Sequence, residues 1–547
     1  MKKRNIILAF LLTASMVLTA CGKKGEKPAE KEQPKTQQET LKAQKKDELV
    51  LGFGSEPKGG WDPIKGSGHY GTSIFQSALF KRDINLKIEN DLAEAFKVSD
   101  DKKVYTITVR KDAKWTDGKP VTAKDVAFTY NKAKEAGTSA VDLSSMVKAT
   151  AKDDYNVEFV LKQPDVGFFA KMVSLGIVPE HAYSDTYGEK PIGCGPFKFV
   201  EWKKNEQLIV EPNPDYHGKK VPFKKITFLF LKPENVVNIA KAGKADVIKI
   251  PVTEANTKFE GYKLETLKTI DNRGVAFPYV PNEGKKTNDK TISPNAPIGN
   301  NVTSDIAIRK AFDIAIDRQA IIDGALNRHG TKASSIADGL PWYNPETAIK
   351  KDGDIEGAKK ILEEAGWKEG ANGIREKNGL KAEFTLWYAY KDRENIALSF
   401  AETGKKIGIN VTPKYAEWSE IEPKMYSEPV LFGWGGYDPL EMYYSYSSEY
   451  RGNDYYNTNF YSNPVVDEHF KKALTSATEE EAYEHFKKAQ WDGKTGLSGL
   501  GDAPWVWVVN ENHLYLVKEG LEIGPQKIQP HGGGWPMLDT ITEWKFK

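Results

Sequence analysis

The sequence predicts an α/β chain of two or more lobes, and three observations carry that prediction. At 547 residues the chain is several times the length of a typical domain. Short apolar or alternating runs of strand type recur along it, separated by stretches with helical periodicity and recognisable start signals. The composition, 39% hydrophobic with 11% aromatic residues, supplies several cores, while a mean hydropathy of −0.56 excludes a polytopic membrane protein.

The first segment precedes the folded body. Lys2, Lys3 and Arg4 open it, an apolar run follows from Ile6 to Leu18, and small residues lead to Cys21, the order of an export signal. The run is too short for a stable membrane span. Leu18-Thr19-Ala20-Cys21 resembles the bacterial lipobox, which makes Cys21 the expected lipidation site and residues 1–20 a cleaved signal peptide. Each buried methylene of an acyl chain contributes about 0.8 kcal/mol, so two or three chains anchor a protein without a spanning helix. Residues 21–47 carry the lipid and a tether of Lys, Glu, Gln, Pro and Thr without an aromatic side chain, too polar to order itself. The expected location is the outer face of the cytoplasmic membrane of a Gram-positive type bacterium.

The body then reads in order. Glu48 to Gly54 is a short strand, followed by Gly66-Ser67-Gly68-His69-Tyr70-Gly71. Val104 to Val109 alternates as a strand does. Thr122 with Asp125 has capping-box form, and Val126, Ala127, Tyr130 and Ala133 share one face of the helix that follows. Cys194, bracketed by glycines, reads as a small buried thiol. Ile226–Leu231, Val247–Ile250 and Phe384–Tyr388 are strand-like. Pro281 to Asn301 reads as a lobe junction or long surface loop. One helix is expected from Asp305 through Ala307, Ala311, Ile314, Ala315, Ile321 and Ile322, and another from Asp354 to Gly366.

Composition and motifs narrow the function. The 78 basic and 76 acidic side chains leave a formal charge of +2, far from the excess of a nucleic-acid binder. No nucleophile elbow, H-E-x-x-H pair, Walker A loop or calcium loop occurs, which speaks against an enzyme, leaving a cell-surface hydrolase as the outlying alternative. Two cysteines exclude a disulfide framework, and eight scattered histidines form no local metal cassette. No cofactor is expected. The most informative stretch is Phe432-Gly433-Trp434-Gly435-Gly436-Tyr437-Asp438-Pro439, followed by Tyr443, Tyr444, Tyr446, Tyr450, Tyr455 and Tyr456. Tyrosine pairs an apolar face with a polar tip, which suits capture of small amphipathic ligands, and the glycines beside Trp434 and Tyr437 would let a ligand approach closely.

Taken together, several segments resemble the peptide/nickel family of ABC-transporter solute-binding proteins, family 5. They are Leu92-Ala93-Glu94-Ala95-Phe96 running on to Trp115-Thr116-Asp117-Gly118-Lys119-Pro120-Val121-Thr122-Ala123-Lys124-Asp125-Val126; Gly193-Cys194-Gly195-Pro196-Phe197 with Asn213-Pro214-Asp215-Tyr216-His217-Gly218; Ile308-Arg309-Lys310-Ala311-Phe312; Ala358 to Trp367; and Gly433 to Pro439. They stand in the family's order and cover nearly all of the chain after the tether.

The resemblance implies a two-lobe periplasmic-binding-protein (type II) clamshell. Residues 48–280 with 505–547 would form the first lobe, carrying a smaller α/β insertion at about 77–189, and 281–504 the second. A monomer would enclose its ligand between the lobes and deliver it to permease subunits driven by cytoplasmic ATPases, with no covalent chemistry of its own. The ligand classes implied are a short peptide or a nickel chelate, with an oligosaccharide as the alternative. Peptide-binding members commonly hold the ligand ammonium on an aspartate three residues after the tryptophan matching Trp434; here that position is Tyr437, and the next acid is Asp438. Nickel-binding members have a similar aromatic run, with a histidine from elsewhere. The ligand-binding residues expected are therefore Trp434, Tyr437, Asp438, His69, Tyr70 and His513, with His69 and His513 as metal contacts and His531 as a third candidate.

Overall fold

The structure, a computed structural model, describes residues 46–547 apart from 69–72, 138–140, 289–291, 371 and 477. Cys21, the export segment, nearly all of the tether, His69 and Tyr70 lie outside the described residues. Among those described, no helix is long and apolar enough to cross a membrane.

Three sheets set the frame. The first has the strand order Tyr262–Leu267, His513–Lys518, Val247–Ile250, Glu48–Gly52, Lys225–Leu229, Gln207–Pro212, Phe197–Lys203. Glu48–Gly52 pairs in parallel with both neighbours, and the helix Pro233–Lys241 makes the crossover that parallel strands require. The second sheet runs Gly330–Lys332, Trp505–Glu511, Asn272–Ala276, Val430–Trp434, Glu383–Tyr388, Asn410–Tyr415. Trp505 to Val509 is buried residue after residue, an unbroken apolar run covered on both faces.

The third sheet, Ala93–Val98, Val104–Val109, Asn156–Leu161, Met146–Ala151, is antiparallel and belongs to the insertion. The expected alternation is present: Tyr105, Ile107 and Val109 point inward from their strand. Against them packs the helix Ala123–Ala136, whose Val126, Ala127, Tyr130 and Ala133 are buried. Asp125 accepts the Thr122 amide at 2.8 Å, closing one arm of the capping box. Cys194 is fully buried in this core, which pushes its thiol up and leaves it inert.

The chain passes from the first sheet to the second between Leu267 and Asn272, and back between Glu511 and His513. Boundaries at residues 280 and 505 are thus displaced: Asn272–Ala276 and Trp505–Glu511 are central strands of the second sheet. Both are buried almost throughout, as a core strand of either lobe would be, so only pairing assigns them. A third strand of chain follows the same junction, where Ile270 donates to the Gln529 carbonyl at 2.9 Å and Gln529 to that of Lys268 at 2.9 Å.

One local expectation changes. The helix from Asp305 ends at Ala315, and a second covers Arg318–Ala325, because Asp317 accepts the Ala320 amide at 2.9 Å and starts a new helix. Of the two readings open for Pro281 to Asn301, the structure gives the loop, tied to the second lobe: Gly299 donates to the Tyr426 carbonyl at 2.9 Å, and the Ser293 hydroxyl to that of Glu422 at 2.7 Å.

Candidate functional site

A cavity of about 660 Å³ lies between the insertion and the second lobe, within the roughly 300–1,000 Å³ range of small-molecule sites. The insertion contributes Arg82, Lys134, Asp142 and Lys162; the second lobe contributes Trp434, Tyr437, Asp438, Glu441, Tyr444 and Tyr456. Lys527 and Pro530 enter from the chain's last segment.

The second-lobe wall begins where the strand Val430–Trp434 leaves the sheet. Gly435, at φ +146°, lies so close to the Ile270 carbonyl that a Cβ would sit 2.2 Å from its oxygen. Gly433 faces the Arg273 and Arg393 guanidinium groups, at 2.8 and 2.9 Å from the position of a Cβ. These two glycines therefore admit the protein's own hinge rather than a ligand; Gly436 alone of the three lines the cavity. The chain then turns into the short helix Leu440–Tyr446, with Asp438 accepting the Leu440 amide at 2.9 Å.

That turn brings Asp438 and Glu441 to the wall together. Burial pushes Asp438 up to about 6, against the hydrogen bond from Leu440. Burial likewise pushes Glu441 up to about 7, against the bond it accepts from the Gly436 amide at 2.7 Å. Neither carboxylate has a salt bridge among the described residues, and a buried anion without a cation favours its protonated form.

The aromatic side chains are locked by their neighbours. Trp434 stacks on Tyr456 with centroids 6.0 Å apart, and its indole Nε1–H is buried without a protein acceptor. The Tyr437 hydroxyl donates to the Ile528 carbonyl. The Tyr444 hydroxyl donates to Asp142 Oδ2 at 3.1 Å, a bond that joins the second lobe to the insertion. Burial opposes ionisation of Asp142, but the Ser144 amide at 2.8 Å and nearby Lys171 outweigh it and hold the carboxyl below its ordinary value. Arg82 makes a second bridge, donating to the Tyr437 carbonyl at 3.0 Å.

Of the residues singled out in the sequence, Trp434, Tyr437 and Asp438 are brought together on the wall. His513 is not. It is buried at the sheet crossing, its Nε2 bonded to Asp271 Oδ2 at 3.0 Å, while His531 Nδ1 reaches Asp271 Oδ1 at 2.6 Å. Arg273 pairs with the same carboxylate and with Glu511 at 2.8 Å. Burial, with Lys249 nearby, pushes His513 down to about 4, so it stands neutral. Its position thus lends no support to a role as metal contact, and no group of three or more His, Cys, Asp or Glu side chains arranged for a metal ion occurs among the described residues. Sequence reasoning missed Glu441, Asp142 and the three cations. Glu441 had a signal, being three residues after Asp438 and so on the same side of a helical turn; the insertion's residues had none.

Comparison with known proteins agrees with this architecture. Residues 87–456 match the family model described as bacterial extracellular solute-binding proteins, family 5 Middle. The chain is 32% identical to Protein XP55 of Streptomyces lividans over 494 residues, covering 86% of this chain and 85% of that protein. It is 30% identical to the oligopeptide-binding protein AppA of Bacillus subtilis over 468 residues, covering 79% and 81%. The solved structure of that AppA, in complex with a nonapeptide, superposes with a TM-score of 0.68 at 26% identity, covering 92% of this chain and 99% of that one. NikZ from Campylobacter jejuni, solved with Ni(L-His), shares the fold at a TM-score of 0.76 and 23% identity, covering 91% and 99%. The protein is a two-lobed solute-binding protein rather than an enzyme, and it belongs to the bacterial extracellular solute-binding proteins, family 5.

Proposed function

We propose that the protein captures short peptides in the cavity between the insertion and the second lobe and presents them to an ABC permease. One observation carries this reading: Asp438 and Glu441 stand on the same cavity wall as buried carboxyls that make no salt bridge among the described residues. A peptide ammonium supplies the missing charge, and charge-assisted hydrogen bonds of this kind are about twice as strong as neutral ones. The buried Trp434 Nε1–H offers a donor to a peptide carbonyl, and Trp434, Tyr437, Tyr444 and Tyr456 supply apolar faces for side chains. The peptide named for the 30% identical AppA supports the same class.

Cys21 carries the lipid anchor in this reading, which keeps a monomer near its permease on the outer face of the membrane. Replacing Cys21 with Ala is expected to move the protein into the culture medium, read by immunoblot of cells and medium; retention on the cells would count against the anchor.

The peptide reading is tested by native mass spectrometry of the soluble protein beginning after Cys21, purified gently from rich medium. A co-purified ladder of short-peptide masses, displaced on adding excess tripeptide, is the expected result. A protein that carries no peptide, binds none, and instead takes up nickel only when histidine is added would replace this reading with a metal-chelate carrier.

A further inference from the structure

The helices Pro464–Leu474 and Glu479–Gln490 are joined by a short link and pack on one another as a hairpin of the second lobe. Phe470 meets Phe486 on its inner side, with centroids 6.0 Å apart. A histidine stands one residue before each phenylalanine. The rings of His469 and His485 lie with centroids 5.8 Å apart and their planes inclined by 32°. Neither helix contributes a residue to the ligand cavity.

Both residues are half-buried, and the Nδ1 of each is buried with no hydrogen-bond partner among the described residues. Other histidines find an aspartate: His181 pairs with Asp117, His217 with Asp91, and His513 and His531 with Asp271. Burial and then the neighbouring His485 ring hold His469 below its ordinary value, and burial and then Lys488 do the same for His485. Both rings are therefore neutral at neutral pH. The neutral tautomer that orphans no buried N–H carries its proton on Nε2 and leaves a bare lone pair on Nδ1. Two such lone pairs, on rings this close, are donors of the kind that borderline divalent metals take.

Two imidazoles that hold one ion at about 2.0–2.1 Å have centroids roughly 5–6 Å apart, and this pair falls in that range. We propose that His469 and His485 form a cross-helix site for one divalent ion of the class that imidazole suits, Zn²⁺, Ni²⁺ or Cu²⁺, bound through the two Nδ1 lone pairs with water completing the coordination. Lys472 and Lys488 oppose a cation here, while Asp492, Glu481 and Glu484 favour it. Two protein ligands make an exchangeable site, since a closed structural site takes four. The bound ion ties one helix of the hairpin to the other and stabilises the folded chain by mass action. The site lies outside the cavity, so it stands or falls separately from the peptide reading.

The test uses the full chain, extracted in detergent, carrying no histidine tag and stripped of metal with a chelator. Diethylpyrocarbonate acylates unprotonated imidazole, and mass spectrometry of the digested protein reads each histidine separately. Zn²⁺ at about ten times its dissociation constant is expected to slow acylation of His469 and His485 together by about tenfold and to raise the melting temperature. Mg²⁺, which prefers oxygen ligands, should do neither. The His469→Gln/His485→Gln double variant should melt as the parent does in chelator and lose the rise that Zn²⁺ gives. Either single substitution should weaken Zn²⁺ binding about 100-fold, the worth of a second linked contact. Zn²⁺ that leaves both rings as reactive as before, that protects only one of them, or that stabilises the double variant as much as the parent overturns the site. The acylation measurement is made on the unsubstituted chain, so it decides the matter even if a variant does not fold.

Discussion

Asp438 and Glu441 each make a prediction that separates charge from shape. Asn caps a helix as well as Asp does, so Asp438→Asn keeps the bond from the Leu440 amide and removes only the charge. A peptide that binds through this carboxylate should lose about 10- to 100-fold in affinity, the worth of a hydrogen bond to a charged group; calorimetric titration reads it. The pH dependence follows from the same two groups. An ammonium needs them ionised, and in the empty protein they protonate at about 6 and about 7. Affinity should therefore be full near pH 8 and fall as the pH drops through that window, by up to about tenfold per pH unit for each group. Affinity constant between pH 8 and 5.5 would count against both as anchors.

At the scale of elements, two bonds tie the insertion to the second lobe: Tyr444 to Asp142 at 3.1 Å and Arg82 to the Tyr437 carbonyl at 3.0 Å. Tyr444→Phe removes one and keeps the ring. A hydrogen bond of about 1 kcal/mol moves a two-state balance about fivefold, so the ligand-free variant should populate the open form more, seen as a larger radius of gyration in solution scattering and restored by saturating ligand. The split at Asp317 is also an element-scale device. Asp317→Ala should cost about 1 kcal/mol of stability through the lost cap on Arg318–Ala325, read as a lower denaturant midpoint, with no change in ligand affinity because neither helix reaches the cavity.

For the whole molecule, the crossing between sheets and the cavity respond to pH in opposite directions. Burial alone would raise Asp271, but the adjacent Arg273 outweighs it and holds the carboxyl well below the usual range. His513 titrates at about 4 in the folded chain against an ordinary 6.5, so between these values the unfolded chain binds the additional proton. The stability conferred by neutral His513 is therefore full above pH 6.5 and lost as the pH falls toward 4. Asp438 and Glu441 have raised values, so the folded chain holds protons that the unfolded chain has released. Their contribution is present below their ordinary values and lost as the pH rises toward 7. The Asp438→Asn/Glu441→Gln double variant should accordingly melt at a higher temperature than the parent at pH 8 without ligand, and at about the same temperature at pH 4. A variant that melts lower at pH 8 would mean that these carboxylates stabilise the empty protein.

Local signals in the sequence determined the elements. Alternation at Val104–Val109, the capping box at Thr122 and the stop at Gly366 act over a few residues, and the structure keeps all three. The aromatic wall at Trp434 and Tyr437 and the acid at Asp438 were legible for the same reason, since one turn of chain carries them. Partnership across the chain was decided only by the tertiary structure. His513 and His531 are far from Asp271 in sequence, yet its one carboxylate commits both to the hinge. Lys134, Lys162 and Asp142 became cavity residues because the insertion is docked opposite the second lobe. The strands Asn272–Ala276 and Trp505–Glu511 found their sheet by pairing, not by pattern. Periodicity and caps are short-range properties that a linear sequence carries in itself, whereas charge pairing, sheet membership and a cleft between lobes depend on which distant segments fold to the same place.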